Sequence, residues 1–382
     1  MPHSDLIADI RSQIDDCDEA LLEVLARRQS LVEQLVAHKA ANGEALRVPK
    51  REALIYSRLD ELAAKKGLNA QLVVDIFQRI MRDSYERQAS KAFPCASLQP
   101  KDIVIIGGKG QLGSLFAKLF ERSGHQVTSL DKNEWHSESA VLAQADLVIV
   151  AVPINVTLPV IEQLTALKPN CILADLTSVK NSPLSSMLKA HSGPVVGLHP
   201  MFGPGATQIA RQLILVSEGR QIEAAQWMIA QFKLWGCDIQ SIGAKHHDEL
   251  MSQIQGVRHF VVFILGWQLQ TSGTDLSELL RCSSPIYRME LALTARLFNQ
   301  NPELYVDILL NAQNTCGAFA DFDACARQGV AWLKSNDRDA LINVFKQVAE
   351  YFSSEQSGLF QDSERLLEAY RERISGQVES SL

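Results

Sequence analysis

The sequence predicts a multidomain chain: an all-α amino-terminal segment, a doubly wound α/β domain, and an all-α carboxyl-terminal segment. Three observations carry this reading. From about Asp5 to Ala41 there is no proline or glycine. From Ile103 to Asp131 a β-branched run, a glycine-rich turn, a helical stripe and a second strand follow one another. From Lys245 onward, apolar stripes at helical spacing continue with few strand signals. The expected boundaries are 1–90, a linker at 91–101 containing Pro94 and Pro100, then 102–244 and 245–382.

Composition narrows the function classes. A chain of 382 residues suits two or three domains, and 46% hydrophobic residues allow sizeable cores. A net charge of −7 argues against a general binder of nucleic acid or acidic membranes, so an anionic substrate must be held by local arginines and lysines. Seven cysteines, an odd number with no C-x-x-C pair, argue against a disulfide scaffold or a thiolate zinc site. The amino terminus lacks a basic-then-apolar signal, and the longest apolar run, Phe260 to Trp267, is too short to span a bilayer. The expectation is a soluble cytoplasmic protein without repeats or low-complexity segments.

The uninterrupted stretch before Asn42-Gly43 reads as one helix of roughly 55 Å at 1.5 Å per residue. That is too long to fold back on a core within ninety residues, which predicts packing against a second chain. Its apolar seam runs Ile7, Ile10, Ile14, Cys17, Leu21, Val24, Leu31 and Leu35, and Arg28 occupies a seam position where a leucine belongs. A guanidinium on an apolar face is costly unless an anion pairs with it. Lys39 follows three turns later on almost the same face, whereas Arg11 is turned about 100° away and addresses a different site. Pro49 opens a second helix with Arg51 and Glu52 in its first turn. Asn69 caps a third, with Leu72, Val73, Ile76, Phe77, Ile80 and Met81 as its core stripe and Ser84 and Gln88 on one face near its end. On composition alone, a three-helix dimerisation module with solvated charges is the better reading of these helices.

The central element is Gly108, Gly110 and Gly113, a G-x-G-x-x-G turn between the strand Ile103–Ile106 and a helix carrying Leu112, Leu115, Phe116 and Leu119. The glycines allow a tight turn, close approach of backbone to a pyrophosphate and close helix–strand packing, and the phosphates meet unpaired helix N–H groups. A second strand, Gln126–Leu130, ends at Asp131, 18 residues after Gly113, where a carboxylate accepts both ribose hydroxyls and repels a 2′-phosphate. With strand, helix, strand and acid in place, the expectation is a Rossmann domain that binds a dinucleotide, with Asp131 pointing to NAD rather than NADP. Gln111 and Leu112 in the turn, and Val152-Pro153 after the buried strand beginning at Asp146, complete the expected cofactor contacts. Further strands are read at Cys171–Asp175, Val195–Gly197 and Leu213–Val216, giving a mostly parallel sheet. Two segments follow strand ends: Asp175-Leu-Thr-Ser-Val-Lys180 and His199-Pro-Met-Phe-Gly-Pro204. Neither has metal-ligand spacing. His199 is either a turn residue or the base for hydride removal from a carbinol carbon.

Arg11, Arg28, Lys39, Arg51, Glu52, Ser84 and Gln88 match in type and spacing the active-site set of the all-helical chorismate mutase family, over about residues 1–90. Val48 stands where some members carry an acid. The Asp175–Lys180 segment, Gly197-Leu-His-Pro-Met-Phe-Gly-Pro204 and the run Ser284–Arg296 resemble prephenate dehydrogenase. The whole chain therefore resembles the bifunctional chorismate mutase–prephenate dehydrogenase family of tyrosine biosynthesis. The resemblance implies an intertwined homodimer that rearranges chorismate to prephenate without a base or nucleophile, by holding a folded dianion and stabilising charge on the breaking ether oxygen. It assigns the carboxylates to Arg28 and the partner chain's Arg11, the ether oxygen to Lys39 and Gln88, the ring hydroxyl to Glu52, and support to Arg51 and Ser84. In the second half it makes His199 the base for oxidative decarboxylation of prephenate, with Ser178 orienting His199 or the substrate hydroxyl and Arg296 on a substrate carboxylate. Lys180, His247, His259 and Arg288 are further candidates from the same region, although His259, in the apolar run Arg258–Trp267, reads equally as a core histidine. The carboxyl-terminal segment is implied to be a dimerisation domain, and tyrosine a feedback inhibitor. Two other classes stay open: a single-activity hydroxy-acid dehydrogenase whose first helices only dimerise, and a non-enzymatic nicotinamide sensor.

Overall fold

The computed structural model describes residues 2–42, 44, 47–89, 93–131, 134, 139–164, 167–203, 205, 209–313 and 317–379. The chain divides into two compact units, Met1–Ala244 and Lys245–Leu382.

In the first unit, α1 (Pro2–Ala41), α2 (Pro49–Lys66) and α3 (Ala70–Ala89) make the amino-terminal module. Local sequence sets their ends. Gly67, at φ 65°, closes α2 in a left-handed conformation that a side chain would strain. Asn69 Oδ1 accepts from the N–H groups of Gln71 at 2.9 Å and Leu72 at 3.2 Å, capping α3. The apolar seam of α1 finds no cover among the described residues of its own chain. Ile7, Ile10, Ile14, Leu21, Val24, Leu31 and Leu35 keep 48–63% of their surface exposed, as expected of a helix built to meet another chain. Leu72 and Ile76 correct the sequence reading: they are exposed, and of the α3 stripe Met81 is the buried member. Val36 near the end of α1 does bury, into the core beneath the sheet.

Among the described residues the strands form one seven-stranded sheet, ordered β2-β1-β3-β4-β5-β6-β7. They are β1 (Asp102–Ile106), β2 (Gln126–Leu130), β3 (Leu147–Val150), β4 (Ile172–Asp175), β5 (Val195–Pro200), β6 (Leu213–Arg220) and β7 (Asp238–Ser241). All neighbours are parallel except β5 and β6. The strands β1, β3, β4 and β5 are buried on both faces, which their near-continuous Val/Ile/Leu runs require. One face carries Phe116, Phe120, Phe232 and Trp235; the other carries Leu142, Ile161, Leu164 and Met187. The order of connection reverses between β1 and β3, so the crevice at the carboxyl end of β1 is the place for a ligand.

The second unit is helical throughout its described residues, with Arg258–Ser272 and Pro285–Phe298 packed together. Gly266 permits that contact, since a Cβ there would lie 2.2 Å from Phe298 Cε2. The apolar run Arg258–Ser272 is not a core helix within the single chain. No residue of Arg258–Ser272 is fully buried, and Phe263, Ile264 and Trp267 are exposed. No helix among the described residues is long and apolar enough to cross a membrane.

Candidate active sites

The glycine turn leaves β1 and enters α4 (Gln111–Arg122), with Gly110 at the helix's N-cap and no side chain closing it. A Cβ on Gly108 would lie 2.6 Å from Ser129 Cβ, and one on Gly113 would lie 2.3 Å from the Gly107 carbonyl oxygen. Both positions therefore admit glycine alone, and the backbone stays bare where a pyrophosphate would meet the helix N–H groups. Gly107, at φ 83° and 2.5 Å from the Ala151 carbonyl oxygen by the same measure, is a further obligatory glycine that the motif did not single out. Asp131 sits half-buried at the end of β2, and its N–H donates to Glu134 Oε2 at 3.0 Å. Lys109, in the glycine turn, pairs with the same Glu134 and holds that carboxyl below its usual range. Val152 and Pro153 follow β3 at the same end of the sheet. These residues fit a dinucleotide. Lys132, beside Asp131, lies outside the described residues.

His199 is not beyond its strand, as the sequence suggested, but within β5, opposite Leu215 of β6, and only 3% exposed. Ser178 follows β4 by three residues, so both stand at the carboxyl ends of neighbouring parallel strands. Pro204, in the segment after His199, lies outside the described residues. The turn Asp175–Lys180 is wound around its own first carboxylate: the Thr177 N–H donates to Asp175 Oδ2 at 3.1 Å, and the Thr177 hydroxyl and Lys180 ammonium donate to the same oxygen. Lys180 also reaches the Leu198 carbonyl oxygen at 2.8 Å, next to His199.

Lys180 is fully buried, against its expected place at the substrate. It lies under β5, where Gly197 leaves room: a Cβ there would be 3.0 Å from Lys180 Cδ. It ties the Asp175 carboxylate to the backbone next to His199. Removing one partner of a buried pair leaves the other uncompensated, so Lys180→Met should cost roughly 3–5 kcal/mol of stability, read from urea unfolding. Adding Asp175→Asn should recover most of that loss; no recovery would mean that the pair is not the source.

In the amino-terminal module, Arg28 donates to Ser84 Oγ at 3.2 Å, which brings two predicted residues together from α1 and α3. Burial lowers the pKa of half-buried Lys39, partly offset by Glu44. Arg51 is exposed in the first turn of α2, and Arg11 is exposed on α1. The side chain of Gln88 lies outside the described residues. Arg11 and Arg28 are 17 positions apart on one helix, about 25 Å along its axis, so one helix cannot bring both to one small molecule. Glu52 is only 6% exposed. Its Oε2 accepts from Arg47 Nε at 3.3 Å and Arg211 at 3.0 Å, and its Oε1 from the Tyr85 hydroxyl. Burial first, then the Glu52 carboxylate, holds the Tyr85 phenol far above its ordinary pKa, so it remains a donor.

This two-site arrangement has close parallels. The chorismate mutase type II family matches residues 10–89, the prephenate dehydrogenase nucleotide-binding domain residues 117–215, and the prephenate dehydrogenase dimerization domain residues 243–347. The T-protein of Enterobacter agglomerans is 41% identical over 94% of this chain and 96% of its own length. The chain belongs to the T-protein family. The T-protein of Haemophilus influenzae is 38% identical over 96% of this chain and 98% of its own. The fold of the dehydrogenase part is shared with Synechocystis arogenate dehydrogenase, at a TM-score of 0.51 and 19% identity over 66% of this chain and 99% of that one. It is shared equally with Aquifex aeolicus prephenate dehydrogenase, at 0.51 and 16% over 68% and 99%.

In the T-protein frame the remaining predicted residues lie in the second unit. Ser284 caps Pro285–Phe298, accepting from the Tyr287 N–H at 3.3 Å. Arg288 on that helix donates to the Leu280 carbonyl oxygen, while Arg296 is exposed in its last turn. A π-helical turn, Ser252–Val257, separates buried His247 from His259. His247 Nδ1 is 2.8 Å from Asp248 Oδ1. The His259 ring meets Tyr305 edge-on at 4.9 Å, and Arg258, which can only donate, lies 3.2 Å from its Nδ1. Burial, with Arg258 adding to it, pushes the His259 imidazole down to about 4. Sequence reasoning missed Arg47, Tyr85 and Arg211, which converge on Glu52. Arg47 lies within five positions of Glu52, but Arg211 is 159 positions away and no spacing could reveal it.

Proposed function

We infer that this chain carries both T-protein activities: rearrangement of chorismate to prephenate, then NAD-dependent oxidative decarboxylation of prephenate to 4-hydroxyphenylpyruvate. The observation that carries it is the match over nearly the full length of two T-proteins. The Arg28–Ser84 contact supports a working mutase pocket over a merely dimerising module, because it turns a seam arginine toward a polar partner. In the mutase, Arg28 holds a carboxylate and Lys39 and Gln88 donate to the ether oxygen as its bond breaks. Glu52 accepts the ring hydroxyl, with Arg51 and Ser84 supporting. Preorganised charge does the work, since no proton needs to move.

In the dehydrogenase, bound NAD supplies a hydride acceptor. His199 takes the proton of the C4 hydroxyl as hydride leaves C4. The ring carboxylate departs as carbon dioxide, and its bonding pair completes the aromatic ring. The proton then returns from His199 to the phenolic oxygen. Burial of His199 beside Ser178's strand end keeps water from competing for that proton. Arg296 is the candidate for a prephenate carboxylate. The protein is a homodimer in this reading, which covers the apolar seam of α1, and tyrosine acts as its feedback ligand. Supplying chorismate and NAD should yield NADH and carbon dioxide in equal amounts; prephenate accumulation without NADH would overturn the second activity.

Asp131 sets the cofactor. Its carboxylate faces the ribose end, where a 2′-phosphate would bring like charges together. We expect kcat/KM to favour NAD over NADP by at least about tenfold, or ~1.4 kcal/mol, and Asp131→Ala to erase most of the preference. A preference for NADP in the unaltered enzyme would remove Asp131 from this role.

A further inference from the structure

The carboxylate of Glu52 is held from two directions. Arg47, from its own module, binds Glu52 at 3.3 Å and also Asp238 Oδ1 at 2.6 Å, on the first residue of β7. Arg211 comes from the nucleotide-binding half, in the connection between β5 and β6, and reaches Glu52 Oε2 at 3.0 Å and the Tyr56 hydroxyl at 3.3 Å. Its guanidinium lies 5.9 Å from the centre of the Tyr85 ring, and Tyr85 is the third donor to Glu52. The neighbouring Ala210 packs with Met81 and Tyr85 of α3, so this segment of the sheet half is docked on the helical module.

The backbone at Arg211 is unusual. Its φ is 65°, in the left-handed region where glycine is comfortable and an arginine is not, and its N–H is tied to the Gly236 carbonyl oxygen at 2.8 Å. The position therefore bears strain while delivering a charged side chain to a nearly buried carboxylate. An ionised carboxylate offers about four acceptor sites. Three described donors engage Glu52 here, and they fix its plane while a further lone pair can face a hydroxyl.

We propose that Arg211 is a positioning residue of the mutase site: the dehydrogenase half orients Glu52 for the ring hydroxyl of chorismate. This rests on the reading that Glu52 belongs to that site. Arg211 touches no substrate. It acts by restricting the Glu52 carboxylate, so its loss weakens a contact made alike in ground and transition states, and the effect falls on KM more than on kcat.

The test uses the full-length enzyme with chorismate, and with prephenate plus NAD as an independent readout. Arg211→Gly relieves the backbone strain while removing the guanidinium. It should raise the mutase KM about tenfold, the loss of one charge-assisted hydrogen bond, with kcat and prephenate dehydrogenation each within about twofold of the parent. Arg211→Lys should restore part of the loss. Arg211→Met, which keeps the apolar stem over Tyr85, should match Arg211→Gly and guards against loosening of the loop. In a Glu52→Gln background, Arg211→Gly should change the mutase KM by less than about twofold. An equal effect in both backgrounds overturns the proposal, because Arg211 would then act elsewhere. A mutase KM unchanged by both Arg211→Gly and Arg211→Met, with dehydrogenase turnover intact, overturns it too. If Glu52→Gln itself leaves mutase kinetics untouched, the underlying assignment of Glu52 fails, and the proposal with it.

Discussion

His199→Asn should abolish NADH formation from prephenate, by on the order of 10³-fold or more, and leave chorismate rearrangement largely intact. Asparagine preserves the size and one hydrogen-bonding face of the imidazole but cannot take a proton at neutral pH, and a positioned base contributes about 10²–10⁴-fold. The strand pairing that seats His199, opposite Leu215 in a fully buried β5, does not depend on its basicity. Arg28→Ala should do the reverse. It removes a guanidinium that meets Ser84 in the helical module, and losing the group that holds one carboxylate of the folded dianion in place costs on the order of 10²-fold. Steady-state assays of each half-reaction, with dimerisation checked by light scattering, decide the matter. If either substitution removed both activities in a folded dimer, the two chemistries would share one site.

What the sequence revealed and what it hid follow from range. Strands β1 and β3 announce themselves because burial on both faces demands unbroken apolar runs, and the glycine motif is legible because φ and close approach allow no alternative residue. Strand β7, Asp-Ile-Gln-Ser, escaped notice: at the sheet's edge it needs no apolar run. His199 looked like a turn residue because the antiparallel return of β6, which extends β5 as far as Pro200, is a tertiary fact. Lys180 is a substrate candidate by family resemblance alone, and resemblance does not report burial. Its burial depends on Gly197, seventeen positions on, and on a turn that folds back over Asp175. Helical spacing places Glu52 in the first turn of its helix and Ser84 on one face of the next, and family resemblance makes them site residues, but their partners were not equally legible. Arg28 shares the helical module with Ser84, whereas Arg211 arrives from another domain.

The mutase site should prove to be assembled from two chains. Arg11 and Arg28 sit on one unbroken helix about 25 Å apart, and the apolar seam between them is exposed in the single chain. If Arg11 reaches across a dimer, Arg11→Ala and Arg28→Ala homodimers are each defective at both sites, by at least about 10²-fold. A mixed dimer differs. One of its sites carries both lesions; the other takes Arg28 from one chain and Arg11 from its mate, and is intact. Random re-pairing after joint refolding makes about half of the dimers mixed, so about a quarter of the parent mutase activity should return. Differently tagged chains confirm the exchange, and dehydrogenase turnover confirms that the refolded mixture is native. A site drawn from one chain predicts no recovery at any mixing ratio. Recovery that peaks at equal amounts of the two variants, and falls as the product of their fractions on either side, would place Arg11 in the partner's pocket.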